Sequence, residues 1–172
     1  MQLTLGPVLY HWPKARLDAF HEALADAPVD RVYLGEAVCS RRHEYRTADW
    51  LDAAARLADV GKEVVLSSQV LMESESDLKA LRRFVADGRF LLEANDMGAV
   101  HIVADRAPFV AGPHLNIYNG ETLAFMVDTG ATSIALGASD ARRANVSTAN
   151  ARPVMVQTAN GARGFFVTYL TA

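Results

Sequence analysis

Read for apolar and polar positions, the first 137 residues alternate between short apolar runs and longer amphipathic stretches. LTLGPVLY (3–10) is a continuous apolar run. KARLDAFHEALAD follows it with Leu17, Phe20, Ala23 and Leu24 on one helical face, and Pro13 stands where a first turn tolerates it. VDRVYLG (29–35) predicts a strand ending in glycine. Thr47 and Asp49 mark a helix start, and WLDAAARLADVG (50–61) keeps Trp50, Leu51, Ala54, Leu57 and Ala58 on one stripe up to Gly61. The alternation continues with a strand at EVVLSSQVL (63–71) and a helix from Ser74 to Gly88 whose apolar face is Leu78, Leu81, Phe84 and Val85. A strand at FLLEAND (90–96), a short helix or turn in MGAVHIVAD, and a strand at PFVAGPHLNIY (108–118) come next. NGETLAFMVDTG reads as a helix and SIALG (133–137) as the last strand.

Units of this kind, each about 25–35 residues long, build right-handed βαβ crossovers and a parallel sheet. The strands are apolar throughout rather than alternating, as strands covered by helices are. Five or six of them make up over half of an eight-stranded barrel, which closes with ~250 residues. The expected fold is therefore α/β: a partial (β/α) TIM-type barrel with parallel strands, incomplete at its C-terminal side. An unclosed sheet of this kind would leave edge strands unpaired, and self-association or aggregation would follow.

The pattern changes at residue 138. From Ala138 to Ala172 there is no Lys and no Glu, Asp140 is the one acid, and no 3.6-residue face is visible. The division drawn is thus 1–137 as the partial barrel and 138–172 as an atypical tail, read as an aberrant or frame-shifted ending. VMV and FFVTYL within it are strand-like, and the pattern alone does not say whether they join the sheet.

Composition narrows the classes. The chain has 172 residues, 51% hydrophobic, with 17 Lys+Arg against 20 Asp+Glu and a formal net charge of −3. That suits one ordinary globular domain, and it lacks the concentrated basic face that nucleic-acid binding needs. A single cysteine forms no internal disulfide. MQLTLGPVLYHWPK lacks the basic start and apolar run of a signal peptide, and no run reaches the length of a membrane span, so the expectation is a cytoplasmic protein.

The single cysteine, Cys39, lies in YLGEAVCSRR. It reads either as a small buried hydrophobe or as a reactive or ligating thiol beside Arg41, Arg42, His43 and Arg46, cations that would lower a thiolate pKa or hold an anion. Glu36 follows the strand-ending Gly35, where barrel folds place acids and bases, and a helix-start carboxylate would look the same. His114 and Asn116 in GPHLNIYN would share one face of a strand, either lining a substrate pocket or packing in the core. Glu93 and Asn95 form a second same-side polar pair. No G-x-S-x-G elbow, H-E-x-x-H zinc pair or phosphate-binding loop occurs.

LGPVLYHWPK, YLGEAVCSRR, DWLDAAARLADVGKEVVLSS and FLLEANDMGAVHIVADRAPFVAGPHLNIYNGETL, in that order between Leu5 and Leu136, resemble the UbiV-like branch of the collagenase-like U-type peptidase family (peptidase U32). The resemblance implies a (β/α) barrel and a role in oxygen-independent ubiquinone biosynthesis, as an iron–sulfur protein that hydroxylates the ring with a UbiU-like partner in a heterodimer. It implies no peptidase activity. It also implies a [4Fe–4S] cluster on four cysteines with Cys39 as the matching metal ligand; Glu36, His114 and Asn116, from their places at strand ends, are expected to line the small-molecule substrate pocket. Three of the four thiolates have no counterpart, so the cluster is expected to be incomplete or absent. The alternative is a truncated half-barrel serving as a non-catalytic interaction module that docks on such a partner or on itself.

Overall fold

The computed structural model describes residues 2–104, 106–137, 152–158 and 161–169, the backbone alone from 132 onward. In chain order the elements are β1 (Gln2–Leu5), α1 (Lys14–Ala23), β2 (Arg31–Leu34), α2 (Thr47–Asp59), β3 (Glu63–Ser67), α3 (Glu75–Asp87), β4 (Leu91–Ala94), α4 (Met97–Val103), β5 (Phe109–Ala111), a 3₁₀ turn (Pro113–Leu115), α5 (Gly120–Asp128), β6 (Ala131–Gly137), β7 (Arg152–Thr158) and β8 (Gly161–Tyr169). Strands β1 to β6 pair in sequence order and in parallel, the βαβ arrangement expected from the pattern.

The two tail segments are strands. β8 runs antiparallel to β6 and to β7, and β7 runs parallel to β1, so β6 and β1 both have covered edges. The strand order is β1-β2-β3-β4-β5-β6-β8-β7, with β7 returning to β1. Two antiparallel pairings separate this order from a TIM-type barrel, whose eight strands are all parallel. The side left open by the hydrophobic pattern is the side that VMV and FFVTYL fill.

The strands are shorter than the apolar runs that contain them. β1 stops at Leu5 because Gly6 and Pro7 follow, and proline brings no N–H to the ladder. β5 stops at Ala111 for the same reason. Gly112 makes the last bond of that edge, its N–H donating to the Ala94 carbonyl at 2.8 Å, and Pro113 then opens the 3₁₀ turn.

Helix ends follow the expected chemistry. The Ser74 side chain caps α3 by accepting from the Asp77 N–H at 3.3 Å, while Asp77 Oδ2 accepts from the Ser74 N–H at 2.9 Å. Gly88 closes the same helix at φ 68°, in the left-handed region that glycine occupies without strain. Asp49 opens α2 by accepting from the Arg46 N–H at 2.7 Å.

The main core lies between the sheet and its helices. Val32, Leu34, Val64, Leu66, Leu92 and Phe109 from the strands meet Leu17, Trp50, Leu57, Leu81 and Phe84 from the helices. The opposite sheet face carries a smaller apolar group, Tyr33, Val65 and Val110 with Leu91 against it. Arg31, Ser67 and Glu93 share that face by alternation, so it is mixed in polarity.

Candidate functional site

The C-terminal ends of parallel strands are where α/β folds collect functional groups. Here β3 and β4 end in a buried polar knot. Glu93 Oε2 accepts from Ser67 Oγ at 2.7 Å and from Asn95 Nδ2 at 2.9 Å. Asn95 also bonds Ser68, its N–H donating to Ser68 Oγ at 2.9 Å and its Nδ2 to the Ser68 carbonyl at 3.2 Å. Ser67, Ser68, Glu93 and Asn95 are all buried. Burial raises the Glu93 carboxyl above its usual range, and the two donors only partly offset that. Its charge also contributes to holding up the Tyr33 phenol, after the larger effect of burial.

Two glycines let the strand ends approach. Gly35 has φ 153°, and a Cβ there would lie well inside contact distance of the Ser67 carbonyl oxygen. A Cβ on Gly112 would meet Asn95 Oδ1, a buried acceptor without a hydrogen-bond partner among the described residues.

Glu36 and Cys39 lie together on the β2–α2 connection. Glu36 Oε1 accepts from the Val38 and Cys39 N–H groups, both at 3.1 Å, and sits 3.6 Å from Arg42 Nη1. Glu36 thus organises its own loop. Cys39 is a half-buried free thiol, and among the described residues no group of three or more His, Cys, Asp or Glu side chains is arranged to hold a metal ion. A small cleft of about 10 Å³ opens beside this loop, lined by Tyr10, His11, Trp12, Glu36, Arg42 and Glu44 among others.

His114 and Asn116 do not lie on a strand. Both are exposed, His114 in the 3₁₀ turn and Asn116 just after it at φ 55°. Asn116 Nδ2 donates to the His114 carbonyl at 3.0 Å, and Asn116 Oδ1 accepts from the Tyr118 hydroxyl at 2.7 Å. Partial burial lowers the His114 imidazole pKa. The shared strand face expected for the pair is replaced by a turn because Pro113 ends the ladder first. Glu36 and His114 stand on loops after β2 and β5, at the same end of the sheet as Glu93.

The opposite end of the sheet holds a further acid. Asp128 is the last residue of α5 and is exposed. The turn beyond it is tightly specified: Thr129 Oγ1 donates to the Met126 carbonyl at 2.8 Å, and the Gly130 N–H donates to the Val127 carbonyl at 2.9 Å. Gly130 adopts φ 96°, and β6 begins at the next residue. Phe125 and Val127, just before the aspartate, are exposed. The hydrophobic pattern absorbed this Asp-Thr-Gly into a helix. The available signal was an acid followed by a hydroxyl residue and a turn glycine at the threshold of an apolar strand.

Comparison with protein families matches residues 117–171 to the gag-polyprotein putative aspartyl protease family, under a third of the chain. No solved structure matches. This finding overturns the resemblance to the U-type peptidase family, and with it the role in ubiquinone biosynthesis and the iron–sulfur assignment. The reason is physical. The stretches that carried the resemblance are strands, helices and strand-end loops of a repeating β/α pattern, which constrain residue types by burial. The match lies across α5 and the segment that composition had set aside as aberrant.

Proposed function

We propose that the C-terminal third of the chain is an aspartyl-protease-type half-site centred on Asp128, carried on a barrel-like α/β scaffold. The observation that carries this reading is Asp128 itself: an exposed carboxylate on a glycine-locked turn, within the matched segment. That segment contains two aspartates, Asp128 and Asp140, and Asp140 lies outside the described residues.

Peptide hydrolysis of this kind needs two carboxylates sharing one proton. The ionised one takes a proton from water as the water oxygen bonds the peptide carbonyl carbon. The protonated one donates to the carbonyl oxygen, and the C–N bond then breaks with a proton passing to the leaving amine. One chain presents a single described carboxylate at this turn, so a second copy supplies the other. The exposed Phe125 and Val127 flank the carboxylate where two copies would meet.

The test is cleavage of an unfolded protein substrate such as reduced, alkylated casein at mildly acidic pH. Asp128→Asn is expected to lower the rate by about 10³-fold or more, and activity per chain is expected to rise with protein concentration. Equal cleavage by the Asp128→Asn protein overturns the reading. Loss of activity in Asp140→Asn together with concentration-independent rates would place both carboxylates in one chain and overturn the two-copy form.

A further inference from the structure

Residues 35–46 join β2 to α2 with no helix or strand of their own. Connections of this type usually take about 2–6 residues, and longer ones commonly serve as lids or binding loops. This one closes over the cleft of about 10 Å³, room for a single water, whose lining includes Leu17, Tyr45 and Trp50.

Its second half is fastened to the β1–α1 connection and to α1. The Glu44 carboxylate meets His11 Nε2 at 3.0 Å and accepts from the Lys14 N–H at 3.1 Å. Arg42 Nη1 donates to the Leu9 carbonyl at 2.9 Å. The Tyr45 hydroxyl donates to Asp18, and His21 Nδ1 lies 3.3 Å from that hydroxyl. Lys14 Nζ stands 4.4 Å from the centre of the Tyr45 ring and 2.6 Å from Asp49 Oδ1, in the first turn of α2. Tyr45 is the one buried side chain between residues 41 and 46. Polar contacts therefore do most of the fastening.

Acid acts on these contacts in one direction. A neutral carboxyl at Glu44 or Asp18 holds its donors less strongly than a carboxylate does. Hydrogen bonding to Lys14 keeps the Asp49 carboxyl below its usual range, so that contact is the last to weaken. Glu44 is the only acid among residues 41–46, which also include Arg41, Arg42, His43 and Arg46. The opposing arm brings His11, Lys14 and Arg16, so neutral carboxyls leave cations on both sides. The Glu36–Arg42 contact of 3.6 Å is internal to the loop. His21, packed against Tyr45 and Trp50 with the Arg56 charge bearing on it, gains hydration for its proton only when this cluster opens.

We propose that residues 41–46 form an acid-released strap: protonation of Glu44, Asp18 and His21 frees the segment from α1 and opens the cleft over Leu17 and Trp50, while the sheet stays intact. Asp128, at the other end of the sheet, takes no part in this opening.

The chain's two tryptophans, Trp12 and Trp50, both line the cleft and make the test direct. Trp12→Phe leaves Trp50, 7% exposed, as the sole reporter. Acrylamide quenching of its fluorescence is followed on the full chain from pH 7.5 to pH 4, with far-UV circular dichroism in parallel. The quenching constant is expected to rise about threefold or more before any loss of the dichroism signal. The double variant Glu44→Gln/Asp18→Asn, added to Trp12→Phe, is expected to be quenched more readily already at pH 7.5, with native dichroism. Quenching that stays flat, or that rises only together with the loss of dichroism, overturns the proposal. So does a folded double variant that keeps the full protection of Trp50 at pH 7.5. The pH titration decides alone if the double variant does not fold.

Discussion

Acidification provides a sharp test of the packing between α1 and α2. His21 is 3% exposed and lies among aromatic rings, with Tyr45 at 5.5 Å and Trp50 at 5.9 Å between centroids. The Tyr45 hydroxyl donates its one proton to Asp18, so the 3.3 Å contact between His21 Nδ1 and that hydroxyl oxygen is donated by the imidazole. Nε2 is then the nitrogen that must take up a proton. Burial, assisted by Arg56 and opposed by Asp18, lowers the imidazole pKa to about 4 from 6.5. The folded state therefore binds this proton later than the unfolded chain does. Its stability is fully present above 6.5, falls as pH drops below that value, and stops falling below about 4. Linkage puts the total loss at roughly 3 kcal/mol, with about 2.5 kcal/mol lost by pH 4.5. Urea unfolding at pH 7.5 and pH 4.5 measures it, with His21→Leu as the reference in which the contribution is missing. The wild-type protein should lose about 2.5 kcal/mol more than the variant over this interval. Parallel losses in the two proteins would refute the assignment of His21 as a neutral, desolvated core residue.

Two further perturbations probe the strand ends. The Glu93 carboxyl titrates above its unfolded value, so its stabilisation is present at low pH and lost as pH rises through the folded pKa. Thermal melting should therefore show Glu93→Gln gaining on wild type between pH 5 and pH 8, and a constant difference would contradict this. Gly35→Ala places a Cβ against the Ser67 carbonyl at a backbone angle that L-residues avoid. It should cost about 3 kcal/mol in urea unfolding, and a near-neutral result would mean that the β2 and β3 ends approach less closely than described.

The parallel half of the fold was legible because burial on both faces writes itself as short apolar runs, as in VVL of β3 and VYL of β2. The Ser74–Asp77 and Gly88 signals fixed α3 at both ends for local reasons that need no tertiary context. Strand ends were overrun because apolar loop residues such as Leu9, Val70 and Ile117 extend the runs, and only the missing proline N–H at Pro7 and Pro113 marks the stop. VMV and FFVTYL were legible as strand-like, but the place of β7 and β8 in the sheet was not, because β8 pairs antiparallel with β6 and β7 at a distance that no local period encodes. Glu93 with Asn95 was recognised as a same-side pair at the end of β4. His114 and Asn116 were placed on a strand they do not share. Asp128 was missed, since a helix ending and an acid on a turn look alike in a hydrophobicity pattern.

The pairing of β1 with β7 has a bearing on biosynthesis. Gln2, Leu3 and Thr4 leave a ribosome about 150 residues ahead of their partners Val154, Met155 and Val156. While the nascent chain grows, the amino-terminal strand keeps one flank unsatisfied, and a chaperone that masks it should raise the yield of native protein.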